Sequence, residues 1–181
     1  MRIKSALTVL LFCLTTLQAE AKQKKTYQSC SVLASEVFTG IQLYSKGIDL
    51  TTLYQTLPDI SEKAKLRLKS LYANIEKSGL VETYSQANAQ YSQCSKSAFD
   101  SFGKPPKTSI DYLFYMCAGE NKLRYEIILA IYLGGTKEQI IPQVHAGRRD
   151  LALYLYDIVE KNKIEGAFDF SATELKRCLN Q

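Results

Sequence analysis

The sequence predicts an all-α protein: a tandem of two similar, disulfide-bridged small helical units packed together behind an N-terminal signal peptide. Three observations predict it. Apolar residues recur at three- and four-residue spacing, and no stretch has the period-two alternation of a half-buried strand. A set of residues recurs at fixed offsets along the chain. Four cysteines bracket the two copies of that set.

The N-terminus comes first. Met1-Arg-Ile-Lys4 is followed by the apolar run Ala6 to Leu17 and by Ala19-Glu20-Ala21, a small-x-small site of the kind signal peptidase cuts. Residues 1–21 therefore read as a secretory signal, carrying Cys13 with it. The run is shorter than the roughly 20 apolar residues a membrane-crossing helix needs. Export would leave a mature chain of about 160 residues, room for one domain or two small ones.

The repeat organises that chain. LYANIEKSG begins at Leu71 and LYDIVEKNK at Leu155, an offset of 84 residues that also superposes Cys94 on Cys178. An offset of 87 or 88 superposes Cys30 on Cys117, Phe38 on Tyr125, Ile41 on Ile128, Tyr44 on Tyr132 and Gly47 on Gly135. Each copy thus starts and ends near one cysteine. The pairing that keeps each copy closed on itself is Cys30 with Cys94 and Cys117 with Cys178. In the chain-entropy view each bridge stabilises by roughly 4 kcal/mol, which suits units with modest cores. The boundaries follow: repeat 1 at 22–99, a Gly- and Pro-bearing linker at 100–108, and repeat 2 at 109–181.

Within repeat 1, Leu33, Val37, Ile41 and Tyr44 predict a first helix ended by Gly47. Asp49 starts a short turn stopped at Pro58. Ser61 opens a helix with Ala64, Leu68, Leu71, Tyr72 and Ile75 on one face, stopped by Gly79. A fourth helix carries Leu80, Tyr84, Ala87, Tyr91 and Cys94. Repeat 2 follows the same plan, with capping boxes expected at Thr136/Gln139 and at Ser171/Glu174. Its first helix, from DYLFYMC through YEIILAIYL, is apolar on nearly every side. In its LALYLYDIV segment Leu151, Leu153, Tyr154 and Ile158 fall outside the main stripe. That excess needs a cover, which repeat 1 would supply through one continuous core, or a partner otherwise.

The recurring tetrad has a structural explanation: Tyr72 and Tyr156 as core aromatics whose hydroxyls each find one partner, and Glu76, Lys77, Glu160 and Lys161 on the polar side. A carboxylate hydrolase would use Glu76, Glu126 or Glu160 with a second carboxylate across a cleft. His145, the single histidine, reads as a solvated loop residue. The cysteines lack C-x-x-C spacing, so neither metal nor cofactor is expected. Charge is uneven. Residues 22–108 hold 12 Lys and Arg against 7 Asp and Glu, whereas 109–181 hold 9 against 10. Lys63, Lys65, Arg67 and Lys69 put the positive charge on both sides of the third helix, and Arg148-Arg149 add an adjacent pair. These six are the candidate partner-binding residues. The few aromatics beside the third-helix cations argue against nucleic acid, which needs stacking platforms.

The Cys-to-Gly-to-Cys frame of each copy resembles a broad group of small exported bacterial helical proteins bracketed by cysteines. In size, signal peptide, helicity and disulfide use it is similar to the periplasmic immunity proteins that neutralise amidase toxins of type VI secretion. Those are single units, from which this tandem departs, and no site residue transfers. The resemblance implies binding without catalysis. The expectation is an exported, periplasmic, non-enzymatic interaction protein acting on a protein partner or on itself. A structural or envelope-associated homo-oligomer is the alternative, and a small helical hydrolase stands third.

Overall fold

A computed structural model of the protein describes residues 25–181, so the expected signal peptide and Cys13 lie outside the described residues. The described chain is built of helices: α1 (Tyr27–Ser45), α2 (Leu50–Thr56), α3 (Glu62–Ser78), α4 (Leu80–Phe102), α5 (Ile110–Tyr132), α6 (Lys137–Ile140) and α7 (Arg149–Leu179). Two 3-10 turns, Ile141–Gln143 and Ala146–Arg148, join α6 to α7. No described residue lies in a strand. The bridges are Cys30–Cys94 and Cys117–Cys178, so each closes one unit on itself.

Helix starts follow side-chain chemistry. Thr26, Asp49 and Ser61 each accept a backbone N–H at the entrance to α1, α2 and α3, and Thr136 with Gln139 forms the expected capping box of α6. The second box is not formed. Ser171 lies inside α7, buried, with its hydroxyl donating to Asn121 Oδ1 at 3.3 Å. Tertiary burial captures the hydroxyl that the local pattern assigns to a cap. Helix α4 likewise continues through Phe102 into the stretch read as linker, ending at Gly103 with φ of 70°.

Helix α7 changes direction at Lys163, whose φ and ψ are 60° and −175°. Its counterpart at the 84-residue offset is Gly79, between α3 and α4, at 86° and 163°. Both occupy a region of backbone space that is essentially restricted to glycine. The two arms of α7 therefore correspond to α3 and α4, and the lysine carries strain that the glycine does not.

The core lies where the units meet. Helix α1 packs on α3, α4, α5 and α7, while α5 packs on α4 and α7. At the centre Tyr84 of α4 stacks on Phe168 of α7 with centroids 5.5 Å apart and planes within 4°. Phe38 flanks Tyr84 at 6.3 Å, and Tyr125 flanks Phe168 at 6.5 Å. These are the pairs the repeat offsets equate, Phe38 with Tyr125 and Tyr84 with Phe168. Aromatic pairs of this kind contribute about 0.5–1.5 kcal/mol beyond the area they bury. Helix α1 turns Cys30, Ala34, Phe38 and Ile41 inward and leaves Leu33 exposed, a stripe displaced from the expected one. Gly40 explains part of this. A Cβ there would meet Leu71 Cδ2 at 2.6 Å, so its absence lets α3 approach α1.

Repeat 1 covers α5 in part: Cys117, Ile127 and Ile128 join the same buried cluster as Phe38 and Ile41, whereas Ile110, Met116 and Tyr132 of the same helix remain exposed. Cover of the first arm of α7 is partial. Ile158 is buried, whereas Leu153 and Tyr154 remain exposed, the latter edge-on to Phe170 at 5.2 Å.

Polar groups inside this core are matched across helices. Asn121 donates to Asn88 Oδ1 at 2.8 Å, Asn88 donates to the Tyr84 carbonyl at 2.9 Å, and Ser31 shares a 2.8 Å hydrogen bond with the Tyr91 hydroxyl. Burial raises the Tyr91 phenol from 10.0 to about 12, against a smaller lowering by Ser31, and burial followed by Asp169 raises Tyr84 as well.

Two predictions follow from this packing. Lys163→Gly should release backbone strain and stabilise the protein by about 1 kcal/mol after the added entropy of the unfolded chain, read as a higher urea midpoint at unchanged slope; an unchanged or lower midpoint refutes the strain. The raised tyrosines set an alkaline limit. Well below pH 10 both folded and unfolded phenols are neutral; as pH climbs through 10.0 toward about 12 the unfolded chain ionises first, so stability falls across that window. Tyr91→Phe should flatten the decline, measured by denaturation at stepped pH.

Candidate functional site

Helix α3 projects its cations to two different sides. Lys63 and Arg67 face a groove with Val37, Leu66, Leu71 and Ala87, a depression of about 500 Å3 bounded by α1, α3 and α4. Lys69 faces a second hollow, of about 700 Å3, with Tyr44, Asp49, Tyr72 and Glu76. Lys65 pairs with Glu62 at 2.7 Å and lies 5.8 Å from the centroid of the Tyr54 ring.

Arg67 differs from its neighbours. Its Nε donates to Glu36 Oε1 at 2.8 Å and its Nη2 to Oε2 at 2.9 Å, a two-pronged pair that ties α3 to α1. Lys63 and Lys69 are exposed and form no ion pair with any described residue. Of the five cations on α3, Lys63 and Lys69 each line a depression without an ion-pair partner, whereas Lys77, exposed and equally unpaired, lies in the last turn outside both depressions. Leu66 stands between Lys63 and Arg67 and is 65% exposed, an apolar residue in a charged setting that periodicity alone did not single out.

Arg148 and Arg149 belong to another cluster. Arg148 pairs with Glu120 of α5, and Arg149 Nε reaches the Val144 carbonyl at 3.4 Å. Beside them Arg124 is buried, and its Nε has no partner among the described residues. Burial lowers its pKa, opposed by Glu120 and then Glu174. Nothing in the local pattern of α5 marked Arg124 as an inward residue, because the helix is apolar on almost every side.

The three carboxylates of the hydrolase alternative sit at the surface. Glu126 pairs with Lys122 at 3.5 Å and Glu160 with Lys137 at 2.8 Å, while Glu76 is exposed on the rim of the second hollow. His145 is exposed too, and its Nδ1 accepts the Gly147 N–H at 3.3 Å. All four cysteines beyond residue 25 are consumed in disulfides. No three His, Cys, Asp or Glu side chains among the described residues converge as metal ligands would, and no described helix is long and apolar enough to cross a membrane.

The tyrosines of the tetrad are the joints of each unit. The Tyr72 hydroxyl donates to the Ile48 carbonyl at 2.9 Å, and that of Tyr156 donates to the Gly135 carbonyl at 2.8 Å. Each bond ties a helix to the turn behind the unit's first helix, and the two acceptors are 87 residues apart.

The α3 cations should consequently respond unequally to charge reversal. Arg67→Glu sets a like charge against Glu36 and should cost about 1 kcal/mol or more, whereas Lys63→Glu and Lys69→Glu should stay within about 0.5 kcal/mol of the parent. Urea denaturation of the three variants decides it; equal losses would mean the Arg67–Glu36 pair contributes nothing.

No protein-family model, curated protein or solved structure matches this chain.

Proposed function

We propose that the protein is an exported interaction protein that holds a protein partner in the groove between α1, α3 and α4, with toxin neutralisation as the most concrete version of that role. The observation that carries the reading is Leu66, exposed in a groove whose rim holds the unpaired Lys63. An apolar centre with a charged rim is the arrangement in which buried contacts set how long a complex lasts while peripheral charge sets how fast it forms. Two disulfides support export, since such bridges persist in oxidising compartments.

A photo-crosslinking residue at position 66, in cells exporting the protein, should yield a discrete adduct absent from the same substitution at exposed position 165. Lys63→Glu should reduce it. Identical patterns at both positions, with the protein folded and oxidised, would remove the groove from consideration. The neutralising version requires further that the captured protein be toxic when produced alone and harmless beside this one.

A second reading has its own observation. Phe99, Ile110 and Met116 are exposed where α4 ends and α5 begins, around a half-buried aromatic group in which Tyr115 meets Tyr27 at 5.6 Å and Tyr112 at 6.1 Å. Such a patch supports self-association. Sedimentation velocity should then reveal a concentration-dependent dimer that Phe99→Lys abolishes; a monomer at every concentration excludes it.

A further inference from the structure

The two units treat the space beside their tetrad tyrosine differently. In the second unit Lys137, the first residue of α6, places its ammonium 5.7 Å from the centroid of the Tyr156 ring. It pairs there with Glu160 at 2.8 Å and, more loosely, with Asp157 at 3.9 Å. Tyr156 and Glu160 are the counterparts of Tyr72 and Glu76 at the 84-residue offset, and Thr136 and Lys137 are the counterparts of Asp49 and Leu50 at the 87-residue offset. The backbone agrees with both offsets, because the tyrosine hydroxyls bind the matching carbonyls of Ile48 and Gly135. The protein thus carries its own example of an ammonium held by this tyrosine and this glutamate.

The first unit has the same receiving groups without the lysine. Leu50 stands where Lys137 does, and the space bounded by Tyr44, Asp49, Leu50, Tyr72 and Glu76 is a hollow of about 700 Å3 open to solvent. Its aromatic wall is fuller than that of the second unit. Tyr44 meets Tyr72 edge-to-face at 5.0 Å and 89°, forming a corner, whereas in the 87-residue register followed by the two acceptor carbonyls the counterpart of Tyr44 is Ile131, not the Tyr132 that an offset of 88 superposes. Ring faces attract cations through their quadrupole, and adjoining carboxylates add to that attraction. Asp49 is held ionised by the Thr52 N–H it caps, so its negative charge persists well into the acid range. Glu76 forms no ion pair with a described residue. Lys69 shares the rim but stands two helical turns before Glu76 on α3, and the two are not paired.

We propose that this hollow binds a primary ammonium group, supplied by a free alkylamine or by a lysine side chain of a partner, through the Tyr44–Tyr72 corner and the Glu76 carboxylate. The site is separate from the groove that carries Leu66, so either assignment can fail without the other.

The test is titration of the oxidised protein, followed by NMR at Gly47, Ile48 and Tyr72. The probes are n-butylamine and Nα-acetyl-lysine methylamide, with the Nε-acetylated form of the latter as a neutral control. Both ammonium probes, or the lysyl probe alone where recognition extends to the peptide, should give saturable shifts that the neutral control does not. Glu76→Gln should weaken binding by roughly fivefold, the scale of one exposed ion pair. Leu50→Lys, which gives the first unit its own ammonium, should abolish the saturable shifts while leaving the fold unchanged. Equal shifts from the neutral control, or undiminished ammonium binding in Leu50→Lys, would overturn the proposal.

Discussion

The parallel contact of Tyr84 with Phe168 is the constraint on which the rest of the structure depends. One ring comes from the last helix of the first unit and the other from the last arm of α7, and each is flanked by an aromatic residue of its own unit's first helix. A unit of about 75 residues leaves too much of its apolar surface in water to be secure alone. Here the two bury their largest side chains against each other. The disulfides act on a different scale: each ties the first helix of a unit to its last, holding in place the pair of helices that offers an aromatic face to the other unit.

Aromatic stacking between near-equivalent units does not by itself choose one arrangement, and the polar contacts are where the units stop being alike. Asn88 bonds Asn121 across the interface, while the positions related to them by the repeat, Ala172 and Ala34, are buried alanines. Gln42 donates to Asp169 Oδ1 at 2.8 Å and to Thr173 Oγ1 at 3.1 Å, where its counterpart, Leu129, has no side-chain donor. A buried amide left without its partner costs about 1–3 kcal/mol, so sliding one unit against the other would be opposed on one side only. Asymmetric polar matching within a symmetric apolar frame sets the register.

The same divergence separates structure from surface chemistry on the tetrad helices. The tyrosine hydroxyls do the same mechanical work in both units, binding the turn behind the first helix. The glutamates do not: Glu160 is taken by Lys137, and Glu76 faces solvent on the rim of the hollow. Along α3, Arg67 belongs to the fold through Glu36, while Lys63 and Lys69 present their charge on two different surfaces.

The helical class, the helix starts at Ser61 and Thr136, the stop at Gly79 and both cysteine pairings were determined by the sequence alone, because each rests on local chemistry or on the spacing of a repeat, whereas the stretch after Asp49, read as a short turn, is the helix α2. What only the tertiary structure decided are the positions where a neighbour outweighs local preference. Ser171 has the spacing of a cap, yet Asn121 lies within reach of its hydroxyl and the helix runs through it. Leu33 has the spacing of a core residue, yet the close approach at Gly40 turns Cys30, Ala34, Phe38 and Ile41 inward instead. Lys163 shows nothing unusual in composition, yet it takes a glycine's conformation at the kink between the two arms of α7, a helix packed on α1 and α5. The division of the α3 cations between two surfaces was equally hidden, since periodicity places residues on a helix but not the helices that border it. Sequence spacing fixes what a segment prefers by itself; burial against a partner distant in the chain decides which preference prevails.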